Sequence, residues 1–197
     1  MHAAVVLAHP RADSYAHALA QRAVDGLQAA GHRVDIIDLY ANGFRAAMSE
    51  AEREAYHRDQ PILDPLVQTY ADLVRSVDAL IFVYPTWWSG LPAILKGWMD
   101  RMMVPGVGFT FDERTGKVRP GLTNVRHLIG ISTYGSPKSI VRVVNDNGRR
   151  TIMRALRLCC GSGVRTHWHG LYAIDTSTVE QRAEFAAGVE RAMTELR

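Results

Sequence analysis

Cysteine is almost missing from this 197-residue chain, which contains only Cys159 and Cys160, adjacent to each other. Adjacent cysteines rarely bond to one another because the disulfide geometry would be strained. There is no disulfide framework and no Cys-x-x-Cys motif, so the sequence predicts a protein of a reducing compartment, the cytoplasm. The two thiols are interpreted as inert packing residues at the end of a helix.

Long hydrophobic runs are missing too. No window of about 18 residues is both apolar and uncharged, so the sequence predicts no membrane span. The first apolar run stops at His9 and Pro10 with no basic segment before it, which indicates a first strand and not a signal peptide.

Neither sign of charge dominates: the chain has 23 Lys and Arg and 20 Asp and Glu, a formal net charge of +3. The short basic clusters at residues 149–150 and 154–157 are interpreted as solvated helix faces. A weak attraction for anionic ligands follows, and the sequence predicts no nucleic-acid partner.

Motifs that would place the chemistry on the protein are lacking. There is no Gly-x-Ser-x-Gly and no His-Glu-x-x-His, and neither Gly-x-Gly-x-x-Gly nor Gly-Lys-Ser/Thr is present to hold nucleotide phosphates. His127, His167 and His169 lie near predicted strands without a third ligand at a recognisable spacing, so we expect structural histidines and no metal. A cofactor is therefore expected to carry the reactive group.

What the chain does have is a regular alternation of apolar runs with helical patterns. Strands are predicted at 3–8, 34–39, 79–84, 127–132 and 166–171. Helices are predicted at 15–30, 64–77, 92–103 and 149–158, with capping boxes at 49–52 and 177–180, the second opening a final helix to residue 196.

This alternation predicts a doubly wound α/β fold, with a five-stranded parallel sheet and helices on both faces. In the flavodoxin-like strand order 2-1-3-4-5, ligands bind at the switch point between strands one and three, beyond their carboxyl ends. Three unusual loops, at residues 9–14, 85–90 and 133–137, would meet at that edge.

The whole chain, residues 1–197, is interpreted as one domain with an excursion at about 104–121. This segment is rich in glycine and turns, so we expect a short hairpin outside the sheet. Phe109 and Phe111 would lie on one face of it, because alternate residues of a strand share a face.

The first loop predicts an anion site. Ser14 is expected to cap the following helix, so that its hydroxyl and the free N–H groups of Ser14, Tyr15 and Ala16 face an anion. His9 would add a hydrogen bond or a charge. An ordinary capped helix with no ligand is the alternative.

Trp87 and Trp88 occupy the second loop, where bulky aromatics favour a flat ligand or a partner. In the functional interpretation, the N–H groups of residues 86–88 reach the polar edge of an isoalloxazine ring while indole packs on its face. Core or dimer-interface tryptophans are the alternative. The third loop, residues 133–135, would supply further polar contacts to the same ring, or is a plain turn.

The second loop and its continuation closely resemble the flavin-dependent NAD(P)H quinone reductases, the DT-diaphorase family of the flavodoxin-like superfamily. The matching core is Pro-x-x-Trp-x-Gly-x-Pro-Ala-Ile-Leu-Lys-Gly-Trp at 85–98, followed by aromatic-Thr-aromatic at 109–111. His9 with residues 13–15 is similar to the family's diphosphate loop, and residues 133–135 look like its Thr-Gly-Gly loop. The resemblance covers roughly residues 3–160.

The resemblance implies a flavin, FAD with FMN as the alternative, and a homodimer. It assigns the cofactor contacts to His9, Asp13, Ser14, Tyr15, Pro85, Thr86, Trp87, Trp88, Thr133, Tyr134 and Gly135. It assigns the substrate pocket to Trp88 and Tyr134, with Phe109 and Phe111 closing the pocket of the partner subunit.

Several residues depart from the family pattern. Tyr134 replaces a glycine and would crowd or cap the ring, Ala16 replaces a polar residue, and Phe109 and Phe111 lack phenol hydroxyls. Residues 136–147 contain neither the tyrosine nor the histidine that assists proton transfer in the family, so no catalytic residue is assigned.

The expected function is therefore that of an NAD(P)H oxidoreductase. Two electrons would pass as hydride from NAD(P)H through the flavin to a quinone or similar flat acceptor, with ping-pong kinetics. A flavin-bearing electron carrier, or a regulatory accessory protein of a transporter, with little turnover is the alternative. The choice between NADH and NADPH stays open.

Overall fold

The computed structural model describes all 197 residues and contains one five-stranded parallel sheet and a separate hairpin. The strands are β1 (His2–Leu7), β2 (Arg33–Asp38), β3 (Ala79–Pro85), β4 (Phe109–Phe111), β5 (Val118–Pro120), β6 (His127–Thr133) and β7 (Arg165–Leu171). The sheet order is β2-β1-β3-β6-β7, which confirms the predicted order 2-1-3-4-5.

The central strands form because their apolar runs can be buried on both faces of the sheet. All residues of β6, and all of β3 except Pro85, are buried. In the register, Leu7 lies beside Val83 and Pro85 lies beside Thr133. The three loops that follow these strands therefore start at the same edge, as predicted.

Helices cover both faces. They are α1 (Tyr15–Ala29), α2 (Glu50–Ala55), α3 (Pro65–Ser76), α4 (Ala93–Met102), α5 (Lys138–Val143), α6 (Asn147–Arg150), α7 (Arg157–Cys160) and α8 (Val179–Thr194), with a π-helical segment, Thr151–Leu156, joining α6 to α7. The helices α1 and α8 share one core, and α3, α4 and the π-helical segment share the other. None of these helices combines the length and apolar character that crossing a membrane requires.

Two helix starts test the predicted capping boxes. Ser49 and Glu52 form one as expected. The final helix is capped one position later than predicted, by Thr178 with Gln181. The reason is that the Ser177 hydroxyl is used elsewhere, donating to the carbonyl of Ile174 at 2.7 Å.

The excursion at 104–121 contains the expected hairpin. Its strands β4 and β5 are antiparallel, with Phe109 beside Pro120. The rings of Phe109 and Phe111 meet edge to face, with centroids 5.6 Å apart. The region after β6 differs more from expectation, because α5 was not predicted and the helix predicted at 149–158 instead runs from 147 to 160 with a π-helical middle.

Helix α4, which follows the tryptophan turn, is held by a buried cation. Arg101 donates to Glu52 through Nε at 2.8 Å, to Asp64 through Nη2 at 2.7 Å and to the carbonyl of Arg45 at 2.6 Å. The side chain of Arg101 is almost wholly buried. The turn is therefore followed by a helix whose position is fixed by several directed bonds.

Candidate functional site

The three predicted loops contact one another at the carboxyl edge of the sheet. The ring of His9 lies 6.1 Å from that of Trp87, which joins the first loop to the second. Thr86 joins the second to the third, because its N–H donates to the carbonyl of Thr133 at 2.8 Å and its hydroxyl lies 2.9 Å from that of Ser132.

The tryptophan turn has an unusual backbone. Trp87 and Gly90 pair across it, with N–H to carbonyl distances of 3.2 and 3.0 Å. Trp88 and Ser89 between them have φ angles of 48° and 57°, the left-handed region that costs a non-glycine residue about 1–2 kcal/mol. Backbone strain of this kind clusters at functional sites.

Both indoles of the turn are accessible. Trp88 is fully exposed and Trp87 is 42% exposed, so neither is a core residue, and of the alternatives only the dimer interface stays open. A fully exposed tryptophan is expected where a ligand or partner covers it.

The amides of the turn differ from the prediction. Those of Thr86 and Trp87 donate within the protein, so they are not available to a ring edge and that part of the prediction is wrong. The amides of Trp88 and Ser89 have no acceptor in the protein. These two groups are the donors left at the centre of the turn, and a sequence pattern does not reveal which amides of a turn stay without an acceptor.

Ser14 caps α1 as predicted, but its polar atoms are more occupied than expected. Its Oγ accepts from the N–H of His17 at 3.3 Å, and its own amide donates to the carbonyl of Arg11 at 3.2 Å. The amides of Tyr15 and Ala16 have no acceptor, so they are the donors left for an anion, and the prediction of a free Ser14 amide is wrong.

His17 and Asp38 support this cap and were not identified from the sequence. His17 Nδ1 lies 2.9 Å from Ser14 Oγ, and its Nε2 lies 3.1 Å from Asp38 Oδ2. Since a carboxylate only accepts, Nε2 carries a proton, and in the neutral ring Nδ1 accepts from the Ser14 hydroxyl. The spacing of Ser14 and His17 was visible in the sequence, whereas the approach of Asp38 depends on the β1–β2 pairing.

His9 offers a hydrogen bond and not a charge. Burial lowers the pKa of His9, so the ring is neutral at neutral pH. Its Nδ1 accepts from the N–H of Arg11 at 3.1 Å. The neutral ring therefore carries its proton on Nε2, which is free to donate.

Two predicted phosphate contacts point elsewhere. The Asp13 carboxylate forms an exposed ion pair with Arg11 at 2.7 Å. The Tyr15 hydroxyl donates to the carbonyl of Arg182 at 2.6 Å, because the ring packs toward α8. Within the protein, the Asp13 carboxylate and the Tyr15 hydroxyl therefore already have partners, and the backbone amide of Tyr15 is left for an anion; that these two residues contact the cofactor stays a prediction.

Tyr134 turns inward, and both its hydroxyl and its ring make contacts within the protein. It is buried, its hydroxyl donates to both oxygens of Asp146 at 3.1 Å, and its ring stacks on Tyr172 with centroids 4.6 Å apart. Burial raises the pKa of Tyr134 far above its usual range, so the phenol stays protonated. Tyr172 and Asp146 lie far from the third loop in sequence, which is why this contact was not predicted.

A cavity of about 340 Å³ opens between the second and third loops. Its wall is formed by two loop segments and by the α5–α6 region: Thr86, Trp88, Ser89, Tyr134, Gly135, Ser136, Val141, Val144 and Asp146. One apolar side, an exposed indole and two free amides suit a flat ring with a polar edge. Val141, Val144 and Asp146 were missed because α5 was not predicted. Phe109 and Phe111 do not line this cavity.

The remaining candidates behave as packing groups. The described residues include no group of three or more His, Cys, Asp or Glu side chains that could hold a metal ion. The rings of His127 and His167 stack at 6.1 Å. Burial raises the pKa of Cys160 to about 12, so this thiol stays protonated.

Comparisons with known proteins identify the family of this chain. Residues 1–195 match the family model Flavodoxin_2, described as a flavodoxin-like fold. The chain belongs to this family.

Two curated relatives carry the words dehydrogenase and quinone in their names. NAD(P)H dehydrogenase [quinone] 1 of Cavia porcellus is 32% identical over 149 residues, 68% of this chain and 54% of that protein. Ribosyldihydronicotinamide dehydrogenase [quinone] of Homo sapiens is 31% identical over 162 residues, 74% and 69% of the two chains. The match thus spans about half the length of the first relative. The resemblance to the NAD(P)H quinone reductases is confirmed.

A solved structure, the NAD(P)H:quinone oxidoreductase from Methanothermobacter marburgensis, has the same fold. Its TM-score is 0.82 at 24% identity, covering 100% of this chain and 99% of that one. At this identity the likeness extends to the fold alone.

Proposed function

We propose that this chain, acting as one domain over residues 1–197, is a flavin-dependent NAD(P)H oxidoreductase that reduces a quinone or similar flat acceptor. The observation that carries the proposal is the tryptophan turn. Its fully exposed Trp88 and the free amides of Trp88 and Ser89 stand beside an open cavity. The names of the curated relatives support the reaction class.

The flavin is proposed to be FAD, with FMN as the alternative, because the first loop resembles a diphosphate-binding loop. When bound, the flavin supplies a ring that accepts and releases hydride. The phosphates would be held by the amides of Tyr15 and Ala16 and by the Nε2–H of His9. Mass analysis of the flavin released from purified protein decides between FAD and FMN.

The remaining residues of the site position and shield the ring. The indole of Trp88 would pack on its face, and the free amides of Trp88 and Ser89 would donate to its polar edge, where fixed donors stabilise negative charge. Val141 and Val144 make one side of the cavity apolar and limit water. Tyr134 keeps its proton and ties the third loop to Asp146.

NAD(P)H and the acceptor would stack in turn on the same exposed face of the bound flavin, and such a shared site predicts ping-pong kinetics. Initial rates measured with NAD(P)H and benzoquinone should give parallel double-reciprocal lines. Intersecting lines would contradict the single shared site. Tight flavin binding with no turnover would instead favour the carrier or accessory role.

A homodimer is proposed because the hairpin exposes apolar surface. Phe111 and Val118 are 50% and 63% exposed, and a second copy would cover them. In that arrangement, Phe109 and Phe111 would close the partner's cavity. Sedimentation should show a dimer that Phe111→Asp weakens.

A cytoplasmic location also stays a prediction, supported by two free thiols.

A further inference from the structure

The basic residues near 150, interpreted from the sequence as solvated faces, line one groove instead. The groove has a volume of about 490 Å³ and lies between α5 and the α6–α7 run. Six cationic side chains line it: Lys138, Arg142, Arg149, Arg150, Arg154 and Arg157. None of the six forms an ion pair with a carboxylate.

The only carboxylate in the groove can offset just one of the six positive charges and forms no ion pair with any of them. Asp146 is occupied by the hydroxyl of Tyr134 and by the N–H of Arg149. Arg150, Arg154 and Arg157 line the same groove, where like charges close together repel one another. Repulsion within a cluster of this size therefore lowers the stability of the folded chain, and a bound polyanion would relieve it.

Two of the cationic side chains in the groove are held in place by aromatic rings. The Arg149 guanidinium lies 5.7 Å from the ring centre of Trp168, and the Lys138 ammonium lies 5.7 Å from that of Tyr172. These cation–π contacts restrict both side chains. The π-helical segment, Thr151–Leu156, changes the helical spacing between Arg150 and Arg157, and such segments are frequent at functional sites.

The groove is continuous with the cavity beside Trp88. Val141 and Asp146 line both. With the flavin ring in the cavity, an electron donor whose flat head stacks on that ring would extend into the groove and place its negative charges there. NAD(P)H has a flat nicotinamide, a diphosphate and, in NADPH only, a ribose 2′-phosphate.

We propose that the groove binds the phosphates of the nicotinamide donor and selects NADPH over NADH through its 2′-phosphate. This inference rests on the proposed function, because that function makes NAD(P)H the electron donor. The extra phosphate adds charge-assisted hydrogen bonds to arginine. The kcat/KM for NADPH should therefore exceed that for NADH by roughly tenfold or more.

The test combines a binding measurement with kinetics. Adenosine 2′,5′-bisphosphate and adenosine 5′-monophosphate are titrated calorimetrically into the purified flavin-loaded protein and into Arg154→Gln and Arg157→Gln. Arg191→Gln is the matched control, since it removes one exposed, unpaired arginine from α8, on the opposite face of the sheet. Arg154→Lys, which keeps the charge, should retain part of the affinity.

We expect tighter binding of the bisphosphate, weakened roughly tenfold by either groove variant and unchanged in the control. Equal affinity for the two nucleotides, or equal loss in Arg191→Gln, would overturn the proposal. So would a change of oligomeric state in the groove variants, which would make the groove an interface.

Selective bisphosphate binding without turnover of NADPH would support the groove and refute the proposed function. Turnover with equal kcat/KM for NADH and NADPH, unaffected by the variants, would support the proposed function and refute the role of the groove.

Discussion

At the scale of single residues, the site depends on a turn that is costly in isolation. Trp88 and Ser89 take left-handed backbone angles, and Trp88 exposes its whole side chain. These costs are sustained because surrounding bonds fix the turn. The pairing of Trp87 with Gly90 closes it, and the N–H of Asn147 donates to the carbonyl of Ser89 at 3.2 Å.

Replacing Trp88 should therefore affect the ligand and not the fold. Trp88→Ala is expected to weaken flavin binding by roughly tenfold or more, since burial and stacking of an aromatic ring contribute about 1.5–3 kcal/mol. Flavin fluorescence titration measures this loss. The melting temperature of the flavin-free variant should match that of the flavin-free parent, because the side chain makes no core contact.

Trp88→Phe is the matched control and should retain most of the affinity. If Trp88→Ala keeps full flavin affinity while its melting temperature falls, Trp88 is a structural residue and its proposed role is wrong.

At the scale of elements, α4 is fixed by Arg101. Removing a buried charge partner leaves Glu52 and Asp64 without compensation, which typically costs about 3–5 kcal/mol. Arg101→Met should lower the free energy of unfolding by that amount in urea denaturation. Arg58→Met, at an exposed site with a 4.0 Å contact to Glu54, should change it by less than about 1 kcal/mol. Equal effects would show that the cluster does not hold α4.

The same cluster predicts a pH dependence. Burial alone would raise the pKa of Glu52, but bonds from Ser49 and Arg101 lower it overall. The bond from Arg101 lowers the pKa of Asp64. A carboxyl whose pKa is lower in the folded state stabilises the fold above its unfolded pKa of about 4, and this contribution is lost as the pH falls below that value.

Stability measured by denaturation should therefore fall between about pH 4.5 and pH 3 in the parent chain. In Arg101→Met the slope over the same range should be smaller, because the guanidinium is the main cause of the lowered pKa of Asp64 and adds to the bonds from Ser49 in lowering that of Glu52. An unchanged slope would assign the acid sensitivity to other carboxyls.

A second element-scale prediction concerns the approach of α4 to the segment before α2. A Cβ added at Gly97 would clash with the backbone of Ala46. Gly97→Ala should therefore destabilise the protein by about 1–3 kcal/mol, although alanine favours a helix. At Gly163 no atom lies within 4 Å of an added Cβ, so Gly163→Ala should be close to neutral in the same thermal denaturation assay. A neutral Gly97→Ala would mean that α4 can shift freely.

At the scale of the whole molecule, the sequence was sufficient for the framework. The buried strands can be recognised in the sequence as continuous apolar runs. The loops that end these runs, such as the one at His9, lie at the carboxyl edge of the sheet, where the candidate site is found. The alternation of strands and helices leaves few topologies, so the order followed from the fold class.

What the sequence did not show depends on contacts between distant segments. Tyr134 turns inward because Asp146 and Tyr172 are there to receive it, and Tyr15 reaches the carbonyl of Arg182 in the last helix. The six-residue helix α5 buries only Val141, too little to give a periodic signal. The basic groove was missed for the same reason, since α5 forms one of its walls.

The central claim is that the edge beside Trp88 binds a flavin ring. Its most direct test is a titration of flavin-free protein with FAD, followed by quenching of tryptophan and flavin fluorescence. We expect saturable binding of one flavin per chain with strong quenching of both signals, as the ring covers the exposed indole. Folded protein that neither binds FAD or FMN nor loses tryptophan fluorescence would contradict it.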